Sequence, residues 1–459
     1  MSLKVRVSGP PTSDAVGSRV RFRILALVGS LSLLTYLDRI CISRLQGEIQ
    51  RDLGLSDIEM GAVFSAFFVG YALFEIPVGW LSDTLGARGV ILRIVLWWSF
   101  FTALTGAVLD FFPDSRLWLP LPWGWVGLSW GFVTMVMVRF LFGCGEAGVY
   151  PTLSNVVRTW FPLTERAMAQ GMIIMGSRFG AAMAPWVVGR LADAFGWRMA
   201  FVALGLVGVA WSLLFAKIFR ERPADHPGIG RQELARIGIA SVAKAHGGPS
   251  LPWREALRSP TVWALGAILI LSNSFGWAFY ASWQARYLLD VHGFKFRDSE
   301  LWTGLPYLCG AAGTVLGGVL SDQILARTKS IRWARSLVGM VGLGGAGGCF
   351  LAASVAHGRW EAVALLSLAA FSSDLFMAPF FAAMTDVGGR FTGTLVGSIN
   401  MLGVLGASLF VLYIPWLLKQ QVPWQQVLQR IGCALLIASA LWLIVDAGRP
   451  LLPRDEPRV

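Results

Sequence analysis

Charge is what this chain has least of. Only 14% of its 459 residues are Asp, Glu, Lys or Arg, against roughly a quarter in soluble globular chains. That shortfall excludes an ordinary soluble domain. Histidine is scarcer still: His226, His246, His292 and His357 are isolated in loops, so no metal cluster can be read. The five cysteines fall within apolar runs and lack C-x-x-C spacing, as small packing residues do. The glycine-rich run 341–348 has no following Lys-Ser/Thr and lies within an apolar segment, so it reads as close helix packing rather than a phosphate cradle. With no nucleotide-binding motif in any loop, ATP-driven work by this chain alone is excluded. No cofactor and no catalytic constellation is implied.

Apolar residues dominate instead: 55% are hydrophobic and 21 are Trp. Apolar runs long enough to cross a bilayer, roughly 20 residues each, recur down the chain. The net charge of +12 does not form a nucleic-acid stripe. The basic residues cluster in short alternate loops, the positive-inside pattern. Lys4, Arg6, Arg19, Arg21 and Arg23 precede the first run, and Arg449, Arg454 and Arg458 follow the last. Both termini are therefore expected in the cytoplasm of a cell (inner) membrane. Those flanks, with charge inside the first run, also argue against a cleaved signal peptide.

The pattern predicts an all-α integral membrane protein of twelve transmembrane helices in two pseudo-symmetric six-helix bundles, residues 1–216 and 260–459. Between them, 217–259 is a basic cytoplasmic linker facing anionic lipid heads, with a short surface helix over 232–242. The Pro- and Trp-rich stretch 113–125 reads as an external loop. An internal repeat supports the two halves. Gly79-x-Leu81-Ser82-Asp83-x-x-x-Ala87-Arg88 recurs as Gly318-x-Leu320-Ser321-Asp322-x-x-x-Ala326-Arg327, ending the second span of each half. Paired repeats around a mid-membrane cavity are a transporter architecture. Asp83, Arg88, Asp322 and Arg327 are then gating residues, forming and releasing helix-end and ion-pair contacts with the other half.

Charged residues inside spans cost roughly 2.5–3.5 kcal/mol each at mid-membrane unless they face a polar interior. Asp38 and Arg39 lie in the first span, Arg139 and Glu146 in the fourth, and Arg178 in the fifth. Arg139 and Glu146 are seven residues apart, nearly two turns, and so share a helix face. Asp38 and Glu146 are too few to neutralise three arginines, which predicts an anionic visitor. Protonating the two carboxyls frees the guanidiniums to grip it. Tyr36, Tyr71, Tyr280, Trp283 and Asn400 are further candidate contacts, with Glu75 and Asp374 weaker ones. Glu75, just before Ile76-Pro77, could instead satisfy backbone groups freed at the proline.

These residues resemble the major facilitator superfamily. Within it, Tyr36-Leu37-Asp38-Arg39, the block Arg139–Gly148, Trp160–Arg166, Gly196-Trp197-Arg198 and Asp386–Arg390 are similar to the anion:cation symporter family. The resemblance implies proton-coupled symport of a small organic anion such as a sugar acid, by alternating access. It implies Asp38 and Glu146 as proton sites and Arg39 with Arg139 as their partners or anion contacts. Tyr71 and Asn400 fall at substrate-touching positions. The seventh span departs from that pattern: Ser282-Trp283-Gln284-Ala285-Arg286-Tyr287 lacks the usual proline, and Arg286 adds a positive group near the external mouth. The expected partners are the anion, protons and the bilayer, with no nucleic acid and a monomeric chain. Two alternatives stand beside this one, an organic anion/phosphate exchanger or uniporter and a ligand-sensing receptor on a transport fold.

Overall fold

The computed structural model describes residues 18–109, 116–121, 124–238, 251–294 and 296–452. Lys4, Arg6, Arg454, Arg458 and residues 239–242 of the helix expected over 232–242 lie outside them.

The first half opens with α1 (Val20–Arg44), a short α2 (Gln46–Leu53) and α3 (Asp57–Leu85). Ser56 starts α3 because its hydroxyl accepts from Glu59 N while the Glu59 carboxylate accepts from Ser56 N, a capping box that satisfies two donors at the helix N-terminus. After α4 (Ala87–Gly106) comes an antiparallel ribbon, β1 (Arg116–Leu121) with β2 (Gly124–Ser129). Part of the stretch read as a loop is thus a hairpin, the one departure from all-α structure among the described residues.

The fourth span is two helices, α5 (Trp130–Glu146) and α6 (Val149–Trp160). Ala147 leaves the helical region and Gly148 takes φ +82°, so the helix breaks immediately after Glu146. Only glycine adopts that φ without steric cost. The fifth and sixth spans, carried together as α7 (Arg166–Ile218), are two helices joined at Gly196, whose φ +79° and ψ 159° are non-helical.

The linker region contributes α8 (Arg231–Ile237) and α9 (Trp253–Arg258). The seventh span runs as α10 (Pro260–Leu271), a π-turn over Ser272–Trp277, α11 (Ala278–Ser282) and α12 (Gln284–His292). It bends without the missing proline, through the π-turn and through Trp283 at φ −124° between α11 and α12. Then follow α13 (Phe296–Thr328), α14 (Ile331–Ala353), α15 (Arg359–Leu375), α16 (Met377–Gly388), α17 (Thr392–Lys419) and α18 (Trp424–Leu441). The tenth span is also divided, into α15 and α16, but Phe376 between them keeps helical dihedrals (φ −74°, ψ −23°).

Nine described stretches are long and apolar enough to cross a membrane, and two of them, Leu163–Ile218 and Arg359–Lys419, are long enough to cross more than once. Split at Gly196 and Gly389, and with α18 added, they match the spans read from the sequence. Large side chains stay exposed along them, among them Phe100, Trp186, Leu206, Leu213 and Val341. So much outward apolar surface suits lipid, not water. Buried apolar residues gather in two cores. One draws on Val20 through Ile237, the other mainly on Ala264 through Ala447. They meet along α3 with α17 and along α7 with α13.

Candidate functional site

A cavity of ≈ 740 Å³ lies between the two cores. Its wall includes Tyr36, Arg39, Tyr71, Tyr150, Arg178, Tyr280, Tyr307, Asp374 and Asn400, drawn from both halves. Five of the seven tyrosines in the chain stand on this wall.

Asp38 and Arg39 are neighbours in sequence but about 100° apart around a helix. Arg39 therefore reaches the cavity while Asp38, 5% exposed, points back into the first half. There its charged neighbours are Glu146 and Arg139. Arg39 donates from Nη2 at 2.5 Å and Nε at 3.1 Å, both to Glu146 Oε1. Its guanidinium also sits over the rings of Tyr36, Phe67 and Tyr71 at 4.8–5.1 Å. Glu146 Oε2 is buried with no hydrogen-bond partner.

Arg139 stands elsewhere than a substrate contact would. It is 2% exposed and absent from the cavity wall, with its guanidinium over Phe142 at 4.3 Å and Phe67 at 5.5 Å. It shares a helix face with Glu146, but that face looks into the first core. Trp283 is likewise off the wall, packed against the second core with a buried, unpartnered Nε1. Arg286 pairs with Asp290 at 3.3 Å on the exposed side of α12 and does not line the cavity.

Arg178, for which the sequence offers no partner, is bonded across the halves. Its Nε and Nη2 donate to the two oxygens of Asp374, each at 2.7 Å. The expected surplus of positive charge is thereby reduced. Of the two sequence readings of Glu75, the structure departs from the one at the proline. Rather than serving the proline turn, its Oε1 accepts from Asn400 Nδ2 at 2.6 Å, α3 to α17, and its Oε2 is buried and unpartnered. The same amide lies 3.4 Å from the Tyr71 hydroxyl. Tyr280 donates to Leu366 O at 2.8 Å, which holds its ring on the wall.

The repeated frame joins the two halves. Asp83 accepts from the backbone N–H groups of Gly393 and Thr394, each at 2.7 Å, and from the Thr394 hydroxyl at 2.6 Å. It thus caps the N-terminus of α17, a helix of the other half. Asn155 supports it with a 2.8 Å bond from Nδ2. Asp322 does the mirror task, accepting from Met168 N at 2.8 Å and Ala167 N at 3.3 Å at the start of α7. A carboxylate satisfies orphan donors there and complements the helix dipole. The frame's first glycine makes this reachable. A Cβ on Gly79 would collide with Gly393 O, and one on Gly318 with Ala167 O.

The arginines of the frame do not share this work. Arg88 Nη2 donates to Ala216 O at 2.8 Å within its own half, and Arg327 is exposed. The basic partners at the interface are Arg335, bonded to Asp322 (2.8 Å) and Asp386 (3.3 Å), and Arg166, bonded to Asp386 across the halves at 2.8 Å. Arg335 is missed because it falls outside the repeated frame, although its position in the first turns of an apolar span was visible.

Comparison with known proteins agrees with this architecture. The Major Facilitator Superfamily model matches residues 28–411. The chain is 32% identical to the probable sulfoacetate transporter SauU of Cupriavidus necator, covering 96% of each sequence. It is 30% identical to the probable galactarate/D-glucarate transporter GarP of Escherichia coli K12, covering 94% of this chain and 95% of that one. Among solved structures, the proton:xylose symporter XylE superposes with a TM-score of 0.71 at 15% identity, covering 94% of this chain and 97% of that one.

Proposed function

Since the chain belongs to the Major Facilitator Superfamily, and is a multi-pass membrane transporter rather than an enzyme, we propose that it carries a small organic anion together with protons by alternating access. The relatives named for sulfoacetate and for galactarate/D-glucarate support a carboxylate or sulfonate substrate.

The observation that carries the reading is the Arg39–Glu146 pair. A guanidinium on the cavity wall is held by a carboxylate that is itself off the wall, with one oxygen lacking a donor. An ionised carboxylate so placed is expensive, because desolvation is only partly repaid by one partner. A proton arriving on Glu146 relieves that cost and frees the fork of Arg39 for a substrate acid group. Asp38 is the second proton site. Arg139, set behind the wall among Asp38, Glu146 and Cys41, holds their charges in balance and does not touch the substrate. Tyr36, Tyr71, Tyr280 and Asn400 supply polar contacts around the anion. Loss of substrate and protons restores the internal pairs, and the empty carrier resets.

Asp83 and Asp322 hold the gate end shut in this state, and the wall residues Gly61, Ser65, Ala407 and Ser408 lead from the chamber toward the opposite face. By the positive-inside pattern, the gate end and both termini are cytoplasmic, in the cell (inner) membrane. The working unit is a monomer built from residues 1–216 and 260–459 with 217–259 between them.

The test is uptake of sulfoacetate or galactarate into proteoliposomes with and without an inward proton gradient. Asp38→Asn and Glu146→Gln are expected to abolish gradient-driven accumulation. Net uptake that survives both substitutions and ignores the gradient points to a uniporter or exchanger and overturns proton coupling.

A further inference from the structure

The following deepens the reading just given and rests on it. Two arginines reach the chamber, and each is held by an internal carboxylate. Arg39 is held by Glu146 within the first half, and Arg178 on α7 by Asp374 on α15 in the second. We propose that Arg178 is a second anion subsite, occupied in the empty carrier by Asp374 as a tethered stand-in, and that the substrate is a two-headed acid whose second acid group displaces Asp374 and unlatches the halves.

The geometry of the pair is that of a captured ligand. Both Asp374 oxygens accept from the Arg178 fork at 2.7 Å, the bidentate form by which a guanidinium takes any free carboxylate. A purely structural pair would be expected behind the wall, where Arg139 is. Here both members line the chamber.

Asp374 is also the second-half counterpart of Glu146. Each lies in the fourth span of its half, in the last turn before that span divides into a second helical segment: α5 ends at Ala147–Gly148 with non-helical dihedrals, and α15 passes into α16 at Phe376 with helical dihedrals kept. Substrate sites of repeat-built transporters lie where such corresponding segments face one another. Gly310 of α13 leaves the room that Asp374 uses, since a Cβ there would strike Asp374 Oδ2.

Tyr36 and Tyr150 share the wall with both arginines, and the Arg39 guanidinium lies 5.1 Å from the Tyr36 ring centroid. Two forks and a pair of phenols on one wall suit two acid groups joined by a short polar chain. A substrate with one acid group satisfies Arg39 and leaves Asp374 on Arg178, so the cross-half pair persists. Only a two-headed acid releases it, and movement follows the correct load.

The test compares galactarate with galactonate, its single-acid analogue of equal carbon number, as competitors of counterflow in proteoliposomes. The intact protein is expected to prefer galactarate by about tenfold or more, as sites built to bond a group reject analogues lacking it. Asp374→Asn, which vacates the fork, is expected to widen the ratio by tightening galactarate, which no longer has a carboxylate to displace, and Arg178→Gln to bring it near one. The swap Arg178→Asp with Asp374→Arg keeps a cross-half ion pair but moves the cation to the other wall. It should recover thermal stability without recovering the preference. Restoration of the preference by the swap means that the pair is structural, and equal affinity of the intact protein for both acids removes the second subsite. Binding of neither acid, with sulfoacetate refused as well, overturns the organic-anion reading on which this proposal stands.

Discussion

At the scale of single residues, the chamber is a set of donors already answered by internal carboxylates: Arg39 by Glu146, Arg178 by Asp374, Asn400 by Glu75. The charged residues themselves were legible in the sequence, because an ionisable side chain in an apolar run has few places to go. Their partners were not. Pairing between α7 and α15 or α3 and α17 depends on how spans assemble, and spacing along one helix says nothing of it. The layering was also hidden. Arg39 and Arg139 look alike as intramembrane arginines, yet only Arg39 touches the chamber. The difference is measurable. Arg39→Ala leaves Glu146 buried and unpaired, a loss of about 3–5 kcal/mol for a broken buried pair, and should weaken binding of galactarate at least about tenfold by isothermal titration. Arg139→Lys should keep most of that affinity and instead lower gradient-driven accumulation, because it alters the charge beside Asp38 and Glu146 rather than the anion contact.

At the scale of elements, the spans were readable from apolar length, but their breaks were less so. Gly148 lies among Gly143 and Gly145, and composition alone did not single it out as the residue with φ +82°. The break leaves Glu146 at the last position of α5, free of a following helical turn. Gly148→Ala is therefore expected to be costly on two counts. Its φ strains any other residue, at about 1 kcal/mol or more, and a Cβ would collide with Val78. A fall in the thermal midpoint with loss of uptake checks this.

The linker carries a second local device. Glu233 of α8 accepts from Val20 N and Arg21 N, each at 3.0 Å, and so caps α1. Arg21 and Arg236 then join Glu165 at 2.9 and 2.6 Å. A stretch that reads as a basic surface segment thus docks one face on the first half. Glu233→Ala removes a cap of about 1 kcal/mol. Hydrogen exchange should rise in α8 and the first turn of α1 while α13 through α18 stay protected.

At the scale of the whole molecule, the twofold organisation was visible because the G-x-L-S-D frame recurs at the second span of each half. What the frame does required coordinates. It reads as a pair of aspartate–arginine gates, whereas each aspartate caps a helix of the opposite half and the arginines beside them, Arg88 and Arg327, do not cross. In the proposed cycle the two caps act in parallel on the same closure. Each is worth about 1–2 kcal/mol, so removing both costs about 2–4 kcal/mol if they add, since they act on separate helices. That moves the balance between closed and open gate by roughly 30- to 1000-fold. Spin labels at Leu85 and Arg327, both exposed near the gate, in a background lacking the five cysteines, read the separation of the halves. Asp83→Ala with Asp322→Ala should shift the population to a longer distance, and either substitution alone should give a partial shift. An unchanged distance in the double variant would mean that Arg166, Arg335 and Asp386 keep the gate closed by themselves. Adding Asp386→Asn should then open it, because Arg335 and Arg166 lose the carboxylate that joins them.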